Sequence, residues 1–182
     1  MRFRIHFLFF YVIIFTDMGG IMIDYANNVI EVDGCYGCAY ANHEFSLPCG
    51  MVYEDDRITL SQDWELPING FMVICPKRHV EFFSELTQEE INYLFEYVHK
   101  TETYLKEMNV CQVFDIIVRE KKGVHLHVWI SPRHKWIEEN FKGGTGHIKE
   151  YFDYAKKNLK TKENLELIQN TVEKLRNRFI VQ

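Results

Sequence analysis

The sequence is short of the residues that mark disorder. Proline occurs 4 times and glycine 10 times in 182 residues, while hydrophobic residues make up 47% and aromatics 15%. Such a chain has no compositional reason to stay unfolded. At this length it suits one domain, and two complete ones would be cramped. An excess of basic charge is also missing. The formal net charge is −5, which tells against a sequence-independent nucleic-acid binder, whose affinity comes from lysine and arginine on phosphates. No nucleic-acid partner is expected, and a small-molecule site remains open.

Long apolar runs are scarce, with one exception. Residues 5–15 (IHFLFFYVIIF) are densely apolar behind Arg2 and Arg4. The run is too short for a comfortable membrane span, so no stable span is expected. It has the order of a signal peptide, but no small-residue cleavage site follows. An over-extended reading frame with the start at Met18 or Met22 explains it as well, and a membrane-proximal segment or a packed strand are further readings. Residues 1–23 are treated as an apolar extension. A disulfide framework is absent too. The cysteines (Cys35, Cys38, Cys49, Cys75 and Cys111) are odd in number, in a chain large enough to do without cross-links. A cytoplasmic setting is expected. Cys35 and Cys38 form a C-x-x-C outside any thioredoxin-like βαβ pattern, which favours metal binding.

What is present alternates between two periods. Met51–Glu54 and residues 57–63 read as strands around a turn at Asp55-Asp56. Asn69-Gly70 marks a second turn, and residues 71–75 form an apolar strand ended by Pro76. Thr87-Gln-Glu-Glu90 is a capping box. It opens a helix whose apolar face is Ile91, Leu94, Phe95, Val98 and Leu105. Residues 113–119 and 123–130 read as a hairpin turning at Lys121-Lys122. Beyond it, Ile148, Phe152, Ala155 and Leu159, then Leu165, Ile168, Val172, Leu175 and Phe179, recur at helical spacing. Core packing accounts for these stripes without a partner helix. The composite is an α+β fold with an antiparallel sheet of about five strands, one long helix and extra C-terminal helices.

The strand 123–133 (GVHLHVWISPR) carries the chemistry. Side chains alternate across a strand, so His125, His127 and Trp129 share one face while Val124, Leu126, Val128 and Ile130 share the other. A solvated sheet face tolerates such residues without a function. Two further patterns weigh against that. Cys35, Cys38, His79 and His125 are two thiolates and two imidazoles, a set that zinc accepts in a closed tetrahedral site. Spacing alone also permits ordinary thiols and a surface histidine after Lys77-Arg78. A neutral imidazole at His127 can attack phosphorus and hold a covalent phosphoramidate, provided a partner on its other nitrogen sets the tautomer.

These residues resemble the histidine-triad (HIT) superfamily of nucleotide hydrolases and transferases, with its diadenosine polyphosphate hydrolase-like and galactose-1-phosphate uridylyltransferase-like branches. The resemblance covers roughly residues 35–133. It runs through Cys35-Tyr-Gly-Cys38, Val52-Tyr-Glu-Asp55, Asp63, Gly70, Val73-Ile-Cys-Pro-Lys-Arg-His79, Leu86-Thr87 and His125 to Arg133. Taking Pro132-Arg133 as the family's P-R places the triad at His125, His127 and Trp129; the other register would begin at Gly123 and leave two extra residues before the proline. The resemblance implies a HIT-like domain over 24–136, followed by a helical extension over 137–182. It implies His127 as the nucleophile of a nucleotidyl-histidine intermediate, Asp63 on the ribose, and zinc on Cys35, Cys38, His79 and His125. The implied partner is a nucleotide conjugate such as a dinucleoside polyphosphate, and a homodimer is an option.

Two departures stand out. Trp129 replaces the third histidine, although the uridylyltransferase branch also lacks one. The Gly-Gln-Ser stretch that usually precedes the triad is replaced by Glu120-Lys121-Lys122 after Arg119. Lys122 and Arg119 are therefore candidate substrate contacts along with Trp129. The glycines of residues 142–146 suit either a phosphate-holding helix start or a flexible loop. Arg133, His134 and Lys135 add positive charge after the strand, and a solvated cluster explains them equally. Three functions remain: a hydrolase or transferase working through His127, a nucleotide-binding module with weak or no catalysis, and a zinc-stabilised interaction domain.

Overall fold

The computed structural model describes residues 20–141 and 145–180. The apolar run at 5–15 and Gly143-Gly144 lie outside them. In chain order the elements are β1 (Gly20–Ile23), β2 (Val29–Val32), α1 (Tyr36–Ala41), β3 (Met51–Glu54), β4 (Ile58–Gln62), β5 (Met72–Pro76), α2 (Gln88–Glu107), β6 (Phe114–Arg119), β7 (His127–Pro132), α3 (Lys135–Phe141), α4 (Ile148–Asn158) and α5 (Lys162–Ile180). Strands β3 to β7 form one antiparallel sheet in the order β3-β4-β5-β7-β6. β1 and β2 form a separate antiparallel pair.

Local chemistry explains the boundaries. Asp55 Oδ1 accepts the N–H groups of Arg57 and Ile58 at 2.8 and 2.9 Å, closing the turn between β3 and β4. Before β5, Gly70 has φ +79°, and a Cβ there would lie 2.7 Å from Val110 Cγ1, so no other residue fits without strain. The capping box of α2 forms as the sequence predicts: Thr87 Oγ1 accepts the Glu90 N–H, and the Glu90 carboxylate accepts the Thr87 N–H. The helix buries Leu94, Tyr97, Val98, Thr101 and Leu105. Phe95 lies one position from Leu94, about 100° around the helix, and meets Phe83 at the flank rather than the core.

The strand expected over 123–130 enters the ladder only at His127 and continues to Pro132. Just before it, the Leu126 N–H donates to the Val80 carbonyl at 2.7 Å, not to β6. The segment holding His125 is thereby joined to the loop that follows β5.

The two faces of the sheet have different covers. On one face, Leu60, Ile74, Val128 and Ile130 meet α2 and α5, and Ile168, Val172, Leu175 and Phe179 belong to this same core. The C-terminal stripe is thus core packing. Ile168→Ala is expected to lower the stability of the whole chain by about 2–5 kcal/mol, read as an earlier midpoint of a single denaturation transition. On the other face, Val73 and Trp129 meet α3 and α4, while Met51 and Trp64 meet α1 and the β1–β2 pair. That pair falls partly inside the segment set aside as an extension, yet it buries Met22, Ile30 and Val32. No helix among the described residues is long and apolar enough to cross a membrane.

Candidate functional site

Three separate segments bring the thiols and imidazoles together. Cys35 is the N-cap of α1, and its Sγ accepts the Cys38 N–H at 3.5 Å, which brings both sulfurs to one end of the turn. His79 follows Arg78, whose guanidinium holds the Glu90 carboxylate and the Glu85 carbonyl. The loop carrying His79 is thereby anchored to the start of α2. His125 is 5% exposed, and its Nε2–H donates to the Pro76 carbonyl at 2.8 Å. That hydrogen bond leaves the Nδ1 lone pair directed at the sulfurs.

The four ligand atoms lie within 4.8 Å of one another. Cys35 Sγ is 3.4 Å and Cys38 Sγ 3.6 Å from His125 Nδ1, and Cys38 Sγ is 3.3 Å from His79 Nδ1. In a tetrahedral zinc site, sulfur and nitrogen ligands stand about 3.5 Å apart, from Zn–S near 2.3 Å and Zn–N near 2.1 Å. The donor set and its spacing fit a zinc ion.

Sequence reasoning passed over Gly37. A Cβ at this position would lie 2.5 Å from the His125 ring. The inner glycine of the C-x-G-C is what lets the imidazole lie against α1. Gly37→Ala is expected to weaken metal binding about 10–100-fold, the range for a lost ligand-positioning contact. Titration against a competing chelator measures it, and unchanged affinity would mean that the ring can rotate aside. The Pro76 carbonyl was overlooked likewise. The glycine inside the motif was visible in the sequence, but its neighbour in space is His125, far along the chain.

His127 stands two residues beyond His125. It is half-buried, and its Nδ1–H donates to the His125 carbonyl at 3.0 Å. This is the partner that the sequence could not name. It leaves Nε2 with a free lone pair. Burial lowers the imidazole pKa, the hydrogen bond to the carbonyl opposes this, and Arg119 lowers it further. The neutral, nucleophilic form is therefore favoured near neutral pH.

The other candidates are distributed around it. Arg119 is the ladder partner of His127, and its guanidinium lies 4.8 Å over the Trp129 ring. Trp129 meets His127 with ring centroids 5.3 Å apart, and is wedged between Phe71 and Phe152 at 5.7 and 5.4 Å. Lys122 sits in the exposed turn between β6 and β7. Asp63 is on the same face as His127, but two strands away and toward the other end of the sheet. It is buried, burial pushes its carboxyl up to about 7, and Oδ1 accepts the N–H groups of Glu65 and Leu66 at 2.9 and 2.8 Å. Its evident duty is to hold the turn after β4. Arg133 forms a two-pronged pair with Asp115 at 2.6 and 2.9 Å, which clamps the end of β7 to β6; a solvated cluster does not describe it. A cavity of about 460 Å³ lies elsewhere, where Asn69, Val110, His134, Trp136 and Asn164 converge, and it does not reach His127.

With this geometry in view, the comparisons with known proteins are direct. A family model for the HIT domain matches residues 44–135, about half of the chain. An uncharacterized HIT-like protein of Methanocaldococcus jannaschii is 29% identical over 115 residues, covering 60% of this chain and 87% of its own. Among solved structures, a hypothetical histidine triad nucleotide-binding protein of Sulfolobus tokodaii has a TM-score of 0.56 at 24% identity, covering 79% of this chain and 93% of its own. A zinc-bound histidine triad family protein of Mycobacterium smegmatis has a TM-score of 0.55 at 15% identity, covering 79% of this chain and 96% of its own. Both solved structures have the same fold as this chain.

Proposed function

The chain belongs to the HIT family, and from that premise we propose that it is a nucleotide hydrolase or nucleotidyl transferase acting at the α-phosphate of a nucleotide conjugate through a covalent bond to His127. One observation carries the reading: the hydrogen bond from Nδ1–H to the His125 carbonyl presents an unprotonated Nε2 at the sheet face. A nucleophile held in one tautomer needs no rearrangement before it attacks. Nε2 forms the bond to phosphorus, the leaving group departs, and water then releases the nucleotide and restores the imidazole.

Zinc on Cys35, Cys38, His79 and His125 belongs to the same reading, supported by the spacing of the four donors. A metal held by four protein ligands supplies a structural cross-link. A cytoplasmic setting, where thiols stay reduced, suits that site. We further assign nucleotide contacts to Arg119 and Trp129, which stand beside His127, and to Lys122 in the exposed turn beyond, while Asp63, buried with Oδ1 holding the turn after β4, keeps that structural role.

A second reading, a nucleotide-binding module with weak turnover, draws support from Trp129. This ring is packed into an aromatic cluster where a triad histidine would stand. Incubating the chain with labelled diadenosine tetraphosphate, quenching and mapping the peptide separates the two. A labelled adduct on His127 is expected. Tight binding with no adduct on any residue would favour the binding module.

A further inference from the structure

The groups around His127 restrict what can leave from a bound substrate. Among the described residues, Trp129 meets its imidazole from its own strand, and Arg119 is its ladder partner on the neighbouring one. Neither yields a proton near neutral pH: a guanidinium stays charged throughout, and an indole N–H is only a hydrogen-bond donor. Among the described residues, the titratable groups of the adjoining segments are placed as follows. The Glu120 carboxylate accepts the Phe83 N–H at 2.6 Å. Cys75, whose place on β5 faces His127, has its thiol pushed up to about 12 by burial. His79 and His125 turn Nδ1 toward the cysteines. Lys121 and Lys122 are exposed in the turn beyond.

Arg119 offers something other than a proton. Its guanidinium lies with its carbon 4.8 Å over the centre of the Trp129 ring. Stacking of this kind uses the face of the group, while recognition of phosphate uses the N–H edge. Phe71 and Phe152 hold the Trp129 ring from behind. The result is a supported cation beside the nucleophile.

We propose that this site is selective for nucleotide anhydrides, in which a phosphate or polyphosphate leaves from the α-phosphorus, and that Arg119, supported by Trp129, receives that departing anion. The proposal rests on His127 being the nucleophile. In the first step the Nε2 lone pair forms the N–P bond, the bond from phosphorus to the bridging oxygen breaks, and its electron pair stays on that oxygen. A phosphate oxygen with a pKa near 6 carries the charge without a proton. The amine of a phosphoramidate cannot leave in that way, because it must gain a proton as the P–N bond breaks. An alkoxide is nearly as poor. In the second step water attacks phosphorus and gives its proton to solvent. The N–P electron pair returns to Nε2, and a nucleoside monophosphate is released.

The test uses the full chain and three kinds of adenosine 5′-phosphate conjugate: diadenosine tetraphosphate, adenosine 5′-phosphoramidate, and aryl esters of AMP whose phenols span pKa values from about 5 to about 10. With no proton donor, the ester rate constant should fall by close to tenfold for each unit of phenol pKa. Phosphoramidate turnover should be at least ~10³-fold below that of the tetraphosphate. A flat ester series, or comparable rates on phosphoramidate and tetraphosphate, would overturn the proposal by revealing a proton donor, for which Lys121 and Lys122 are the nearest source.

Arg119→Gln is expected to slow tetraphosphate turnover on the order of 10²-fold, and at least about tenfold more than it slows the aryl esters, whose leaving group carries no phosphate. Equal losses on both would remove Arg119 from the leaving-group role. Mapping the adduct keeps the two levels apart. An adduct on His127 with a flat series refutes the selectivity alone, whereas absence of any His127 adduct refutes the nucleophile and this proposal with it.

Discussion

His127→Ala is expected to reduce turnover of diadenosine tetraphosphate by at least about four orders of magnitude, the scale seen when an enzyme loses its nucleophile. Metal content and thermal midpoint should stay close to those of the parent chain. The separation follows from the geometry. The His127 imidazole is not among the four clustered ligands, and among the described residues it hydrogen-bonds to a backbone carbonyl. Removing it would delete the nitrogen proposed to attack while leaving the ligand cluster in place. Steady-state kinetics, elemental analysis and a thermal melt on one preparation check all three. Turnover within tenfold of the parent would place the nucleophile elsewhere, and loss of metal would show that the two sites are not independent.

The second large effect is on stability. Cys38→Ser, or prolonged treatment of the parent with a strong chelator, should remove the metal and destabilise the fold by at least about 4 kcal/mol, since ligand binding is part of the folding free energy of such sites. For a chain of this size that corresponds to roughly 10–15 °C in the thermal midpoint. Without the ion, two imidazoles and two thiols would face one another within 4.8 Å, and α1, the loop after β5 and the start of β7 would be held by packing and by the hydrogen bonds of Leu126 to Val80 and of His125 to Pro76. Scanning calorimetry with metal analysis reads both. A midpoint that does not move on metal removal would make the cluster dispensable for folding.

How much of this was legible in the sequence depended on the range of the interactions. Strand alternation placed Leu126, Val128 and Ile130 in the core and left His127 and Trp129 on the other face. The capping box at Thr87 fell where the helix begins, and the C-terminal stripes proved to be core. All of these are signals between residues a few positions apart. The β1–β2 pair was missed because its first strand adjoins the apolar run at 5–15, which dominates any reading of that end. The start of β7 was placed too early because the pattern of apolar residues does not say which neighbour supplies the hydrogen bonds; residue 126 bonds to Val80 and the ladder with β6 starts at His127. In the site, spacing suggested the four metal ligands. The close approach of Gly37 to His125, the Pro76 carbonyl and the clamp of Arg133 on Asp115 join distant parts of the chain, and no local pattern announces them.

The spacing of the clustered ligands along the chain also bears on time. Cys35 and His125 are 90 positions apart, and His79 lies between them on a loop that is in place only when β5 and α2 have docked. Early in folding, a metal ion would find two thiols close together and no imidazole. The second pair of ligands can join only once the sheet has closed as far as β7, so stabilisation by a bound metal would come late in folding. Interactions absent from the transition state act on the rate of unfolding and hardly on the rate of folding. The cluster would thus lengthen the lifetime of the folded chain, as a latch that closes after the door rather than a spring that shuts it.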